Sequence, residues 1–391
     1  MLNKRLLTLA FCTLGLSSGV SAEIAFNGFA TFAGGLTSSD DETLQGYDND
    51  LSFDQDSKLA IQAQGNLGEG LTAVAQIMAK GSEDWDAKLT WAYIGWEATE
   101  NVKFLFGRQR LPFYAYSDSL DVSYAYHWIT PPAGVYNLPF DSIDGVGMIV
   151  NNQFGSVDST VQAVVGRNTQ SETVGDSTQE TDISNFVSLN WSLSYDWVTF
   201  RVGYSGGDVS TELSQIDPII AGWNALREAD PSIPDFTAQI SSDDGNDSGE
   251  FIGTGFNIDY NDFIIIAEYT EFGLEGSFLQ DSEESYFLSF GKRFGTVTPH
   301  ITYGVDETTP SIPHFLDSGL PPAGTSTQVD TLVAYTKGLF QATNDDSDYI
   351  TLGVRWDFHD AAAFKAEYTM FNDNLLDDDQ NLLRFAIVTV F

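Results

Sequence analysis

Apolar and polar residues alternate one by one along most of this chain, and that period of two limits the fold more than any other feature. In Lys58-Leu59-Ala60-Ile61-Gln62-Ala63-Gln64-Gly65-Asn66-Leu67 the odd positions are apolar and nearly all the even ones polar. Such alternation describes a half-buried strand, with one face apolar and the other wetted. The rhythm returns in Ser188–Tyr195, Tyr349–Phe358 and Phe364–Met370. Helical spacing is visible only at Ile219–Ala229. The chain is expected to be all-β.

The connections alternate in length, and this decides the architecture. Short ones fall at 66–70, 99–101, 155–156, 196, 261–262, 295–296 and 359–361. Longer acidic, Gly- and Ser-rich stretches lie near 38–50, 81–86, 110–142, 169–183, 206–249, 275–284, 306–347 and 372–380. Fifteen connections of alternating length predict sixteen antiparallel strands, with tight turns at one rim and long loops at the other. An even strand number and alternating faces point to a transmembrane β-barrel. Closure is obligatory there, because an open edge in hydrocarbon leaves backbone groups unsatisfied. A sixteen-stranded barrel encloses an aqueous channel. The rival is a soluble secreted sandwich or propeller. Against it, Trp91, Tyr93, Trp191, Tyr195, Tyr204, Phe256, Tyr260, Tyr269, Tyr303, Trp356, Phe358 and Tyr368 fall on the apolar parity, many near strand ends. That is where aromatic girdles meet a membrane surface. The last strand, Leu383–Phe391, ends the chain on an aromatic residue.

Charge and composition exclude several classes. Lys and Arg number 17 against 56 Asp and Glu, a formal net charge of −39. No basic footprint exists for nucleic acid. A disordered acidic chain would be poor in aromatics, whereas these make 13% of the residues. Residues 1–22 read as a secretory signal: Lys4 and Arg5, an apolar run, then Val20-Ser21-Ala22. The mature domain is then 23–391. Cleavage would remove Lys4, Arg5 and Cys12, leaving no cysteine and a still more acidic chain.

The run Phe104-Leu105-Phe106-Gly107-Arg108-Gln109-Arg110-Leu111-Pro112-Phe113-Tyr114-Ala115-Tyr116-Ser117-Asp118-Ser119-Leu120-Asp121 and the later Trp128–Gly145 resemble a strand and third loop of Gram-negative general porins, in particular those of marine gamma-proteobacteria. The resemblance implies an exported outer-membrane channel, a homotrimer of sixteen-stranded barrels whose third loop folds inward as a constriction. Small hydrophilic solutes and ions would pass through it. Outer-membrane lipid and lipopolysaccharide would surround it. Two departures stand out. The porins' Pro-Glu-Phe-Gly-Gly element is replaced by Leu-Pro-Phe-Asp at 138–141, and the subunit-latching loop shrinks to Gly81–Asp86.

Strand parity points Lys58, Lys80, Arg201, Arg293, Arg355, Lys365 and Arg384 into the lumen. Excluding charge from lipid already favours this. The functional reading is a basic ladder facing third-loop carboxylates across the pore, which would set ion preference. Arg108 and Arg110 lead into the loop, with Asp118, Asp121, Asp141 and Asp144 beyond them. Tyr114, Tyr116, Tyr124, Tyr126 and Trp128 alternate through it, keeping open a substrate-selective channel of the same architecture, for sugars or anions, beside the general diffusion channel.

Other motifs read as decoys. Gly203-Tyr204-Ser205-Gly206-Gly207 has nucleophile-elbow spacing, but no helix comes after it to raise the serine. His127, His300, His314 and His359 lack metal spacing and read as surface residues. Asp243–Asp247 and Asp377–Asp379 read as solvated loop tips, with divalent-cation bridging as the alternative. No cofactor, metal or catalytic site is expected.

Overall fold

The computed structural model describes residues 23–38, 43–138, 140–174, 177–211, 217–233, 247–275, 282–309, 320, 323–324, 326–341, 344–375 and 378–391. The expected leader, His314, and most of the acidic tips near 40–42 and 243–247 lie outside these residues, as does Asp377. The described residues form sixteen strands: β1 Ile24–Thr37, β2 Lys58–Gly68, β3 Leu71–Lys80, β4 Ala87–Glu97, β5 Val102–Arg110, β6 Ser142–Phe154, β7 Val157–Val174 and β8 Ser177–Tyr195. They continue with β9 Val198–Thr211, β10 Asp247–Tyr260, β11 Phe263–Glu275, β12 Ser282–Lys292, β13 Val297–Thr309, β14 Asp345–His359, β15 Ala362–Asp373 and β16 Asp378–Val390. Each pairs antiparallel with its neighbours in sequence, and β1 pairs with β16, so the sheet is a closed barrel.

The seam runs from Phe29 opposite Val390 to Thr37 opposite Leu382. Gly28 and Phe391 complete it by exchanging both backbone bonds, at 2.8 and 2.9 Å. The Phe391 ring lies so close over Gly28 that any Cβ there would strike it. At the opposite wall the two-residue turn Asn261-Asp262 has φ of 49° and 69°, the left-handed pair that matches hairpin twist.

The long connections depart from expectation in two places. The stretch 169–183 is paired strand, its ladder reaching Val174 opposite Ser177. A composition rich in Ser, Thr and Glu reads as a loop, but it is equally compatible with a ladder that extends beyond the membrane. Within 206–249, helix α1 spans Asp217–Ala229, where the sequence shows helical spacing. A second helix, α2 Thr327–Gln341, occupies a stretch whose composition predicts a loop. The two bury Trp223, Leu226 and Val329 against each other, and the Trp223 indole donates to Thr336 Oγ1 at 3.0 Å. Each helix is amphipathic only toward the other, so neither signal is complete alone.

Facing obeys parity over most of the wall. Leu288 and Phe290 on β12, Ile301 and Tyr303 on β13, and Leu352, Trp356 and Phe358 on β14 are exposed on the outer surface. Strand β4 breaks the rule. Its ladder with β3 slips between Gln76 and Ile77, which pair with Trp91 and Leu89, so Thr90 is an extra residue. A bulge of this kind flips the facing of the residues beyond it. Leu89 stays outside, whereas Trp91 and Tyr93 turn inward, correcting their assignment to the lipid face.

Leu288, in mid-β12, tests this surface. Leu288→Arg should cost about 2–4 kcal/mol of barrel stability, the depth-dependent penalty for a cation facing hydrocarbon. Denaturant unfolding in vesicles measures it. An unchanged midpoint would place Leu288 away from lipid.

Candidate functional site

The connection between β5 and β6 decides what the barrel can pass. It is tied to wall side chains on the inward parity. Pro112 carbonyl oxygen accepts from Asn190 Nδ2 at 3.1 Å and from the Arg201 guanidinium. The Ala115 amide donates to Glu268 Oε2 at 2.9 Å, and the Tyr136 hydroxyl donates to the same carboxylate. His127 Nε2 lies 3.0 Å from Ser289 Oγ, and the Trp128 indole donates to Thr302 Oγ1 at 2.9 Å. The Ile129 amide donates to Glu367 Oε1 at 2.9 Å.

An apolar face reinforces these bonds. Leu111, Phe113, Tyr114, Tyr126, Trp128, Val135 and Phe140 are buried against Phe186, Phe251, Ile264, Ile266 and Phe287 of the wall. Phe113 sits edge-on to Phe251 and Phe140, with ring centres 4.9 and 5.5 Å apart. Each such pair is worth about 0.5–1.5 kcal/mol beyond area burial. Sequence carried a signal for this patch. Phe263-Ile264-Ile265-Ile266-Ala267 is apolar on both faces, which a strand between lipid and water would not be. Because Tyr114, Tyr126 and Trp128 are spent on packing, they do not form the aromatic row that a sugar path would need.

Three cations of the predicted ladder donate to backbone carbonyls of the loop, Arg355 while also paired with Asp357 at 2.8 Å. Lys365, completely buried, donates to the carbonyls of Ser123, Tyr126 and Trp128. Arg355 donates to Tyr124 and Tyr126 carbonyls at 2.7 and 2.8 Å. Arg201 takes Pro112. Arg384 reaches Thr130 Oγ1 at 2.9 Å while paired with Glu367 at 2.9 Å and Asp56 at 3.2 Å. An irregular segment inside a barrel has carbonyls that no ladder satisfies, and leaving one unpaired costs about 1–3 kcal/mol. These cations fasten the loop.

The remaining candidates separate. Arg110 pairs with Asp121 and Asp141, and Lys58 lies 3.6 Å from Asp121. Burial alone would raise the Asp121 carboxyl, but Arg110, with Lys58 and Lys80, holds it well below the usual carboxylate range. Asp118 is exposed on the loop. Lys80 is 4.0 Å from Glu83 at the outer rim, and Arg293 pairs with Asp259 at 2.6 Å beside the short turns. Arg108 and Asp144 are corrections. They pair at 2.7 Å, but alternate with inward Gln109, Ile143 and Gly145 and share parity with exposed Phe106 and Val146, so they face outward. His127 and His300 are also corrections. Both are buried behind the loop with ring centres 4.6 Å apart, His127 bonded to Ser289 and His300 3.9 Å from Glu367, neighbours that single-residue spacing does not reveal. Glu268, Glu367, Asn190, Ser289 and Thr302 were missed; lone polar residues on a wetted face carry no mark of the loop they hold.

Removing one fastener tests the arrangement. Lys365→Met leaves the Ser123 and Trp128 carbonyls without that donor and the Tyr126 carbonyl with Arg355 alone, so the loop should become cleavable by chymotrypsin between Phe113 and Phe140 in a barrel that still migrates as folded. Resistance equal to that of the natural chain would show that Lys365 does not hold it.

The sequence model of the Gram-negative porin family matches residues 8–378. Comparison with curated proteins finds no match. Among solved structures, the chain is similar in fold to outer-membrane expressed OmpT of Vibrio cholerae, at 12% identity, TM-score 0.56, covering 96% of this chain and 100% of that one. It is similar to OmpF of Salmonella typhi at 15% identity and TM-score 0.56, covering 95% and 98%. It is similar to an anion-selective porin from Comamonas acidovorans at 10% identity and TM-score 0.57, covering 95% and 100%. A closed sixteen-stranded barrel with this loop, together with a family match over nearly its whole length, makes the chain a member of the Gram-negative porin family.

Proposed function

We propose that the protein is a general diffusion channel of the outer membrane, passing ions and small hydrophilic solutes through a lumen narrowed by residues 111–141. The observation that carries this reading is the fastening of that segment to inward side chains from β8 to β16, within a closed barrel. It narrows the passage while β4 to β7 keep open space opposite it. A homotrimer fits the family, and OmpT of Vibrio cholerae has been described in a trimer form. With only Gly81–Asp86 available as a latch, subunits would meet through their barrel walls.

Ion preference depends on where charge sits. Glu283, Glu284, Asp306, Glu307, Asp345, Asp346 and Asp348 crowd the outer ends of β12 to β14. Such a rim concentrates cations at the mouth. Inside, Lys58, Arg110, Arg201, Arg355, Lys365 and Arg384 are balanced by carboxylates and loop carbonyls. Rim charge acts across water and is screened beyond roughly 8 Å at physiological salt, or about 3 Å at 1 M.

Planar-bilayer recording tests both statements. The natural chain should open in discrete steps, and deletion of Asp118–Tyr126 should raise conductance and the solute exclusion limit. Reversal potentials across a fixed salt ratio should show cation preference at low mean salt that fades at high salt. Anion preference at low salt would mean that the interior cations dominate.

A further inference from the structure

A cavity of about 220 Å³ lies in the lumen between the inner loop and the wall of β4 to β7. Glycines make the room. Gly95 and Gly147 are on inward positions of β4 and β6, and a Cβ on Gly147 would collide with the Gln109 amide. One on Gly95 would come within 2.7 Å of Thr72 Oγ1 and 3.1 Å of Lys103 Cε. The bulge in β4 then turns Trp91 and Tyr93 into the space so created.

The lining is chemically incomplete. Trp91 Nε1, Gln109 Nε2 and Arg110 Nε are buried donors with no hydrogen-bond partner among the described residues. Gln109 is only 2% exposed, so its free donor is not a surface accident. On the wall, the Lys103 ammonium makes no ion pair or hydrogen bond among the described residues. On the loop, the Asp118 carboxylate makes none either. Lys103 and Asp118, the latter within electrostatic reach of Arg110 and Arg201 but bonded to neither, thus face one cavity from its two sides, beside two aromatic faces.

We propose that this cavity is a binding subsite for a small zwitterion with a flat or apolar body, of which an aromatic amino acid is the type. The subsite rests on the channel reading, since the solute must arrive by the lumen. The solute's carboxylate meets Lys103 and the unpartnered donors, and its ammonium meets Asp118. Its apolar face lies on Trp91 and Tyr93. A neutral sugar would stack equally well but would leave both charges unanswered, and an inorganic anion would leave the aromatic faces and Asp118 unused. The volume lies below the roughly 300–1,000 Å³ of pockets for drug-sized ligands, so the solute is small.

Phenylalanine added to a reconstituted channel should reduce the ion current saturably, whereas glucose at the same concentration should give only a linear, viscosity-like decrease. Lys103→Met and Asp118→Asn keep side-chain size while removing charge, and each should raise the half-saturating concentration about tenfold, as expected for losing one charged hydrogen bond. Trp91→Ala should weaken block further. Tyr335→Ala, on the exposed face of α2, should block like the natural chain. Half-saturation unchanged in both the Lys103 and Asp118 variants, or saturable block by glucose alone, would overturn the proposal. Conductance steps without any saturable block would overturn the subsite and leave the channel standing. Absence of conductance in the folded natural chain would overturn the channel reading itself.

Discussion

Closure of the hydrogen-bonded sheet is the constraint on which everything else rests. In hydrocarbon each unpaired backbone group costs several kcal/mol, so a spanning sheet has to return to its own first strand. Here the return is made by β1 with β16 and finished by Gly28 with Phe391. Because the ladder needs no side chains, the two faces are released for separate tasks. The outer one is apolar and aromatic. The inner one holds most of the strand charges, the outward Arg108–Asp144 pair being an exception.

Putting an irregular segment inside that barrel reopens the same problem. Residues 111–141 bring carbonyls and amides into a space where no neighbouring strand can pair them. The solution is a set of wall cations and carboxylates aimed at the loop's backbone. Lys365, Arg355 and Arg201 donate to its carbonyls, while Glu268 and Glu367 accept from its amides. The apolar patch around Phe251, Ile264, Ile266 and Phe287 then supplies burial that lumenal water would otherwise oppose. Charged residues in the lumen therefore divide into those that fasten the loop and those, such as Asp118 and Lys103, that remain open to a passing solute.

That division also explains why the wall is asymmetric. From β8 to β16 the inward face is filled by the loop and its fasteners, whereas β4 to β7 carry inward glycines, two aromatics and unpartnered donors. One arc supports and the opposite arc stays hollow. The same bulge that turned Trp91 and Tyr93 away from lipid placed them on the hollow arc.

Strand number, pairing order and the lipid-facing set were legible in residue order, because a period of two and a rhythm of turns are local properties. Leu59, Leu288 and Leu352 face outward for reasons contained in their own strands. Facing failed at Trp91, where one inserted residue shifts the phase, and at Arg108 and Asp144, whose charge suggested a lumen that their parity denies. The α2 helix escaped notice because its apolar stripe has meaning only against α1, many residues away. The site depended on tertiary structure most of all. Whether Lys365 faces water, a carboxylate or three carbonyls is decided by where a distant loop comes to rest, and alternation along β15 is the same in every case. Local pattern chose the barrel and its outer surface; the packing of residues 111–141 against the inner wall chose which charges the lumen keeps.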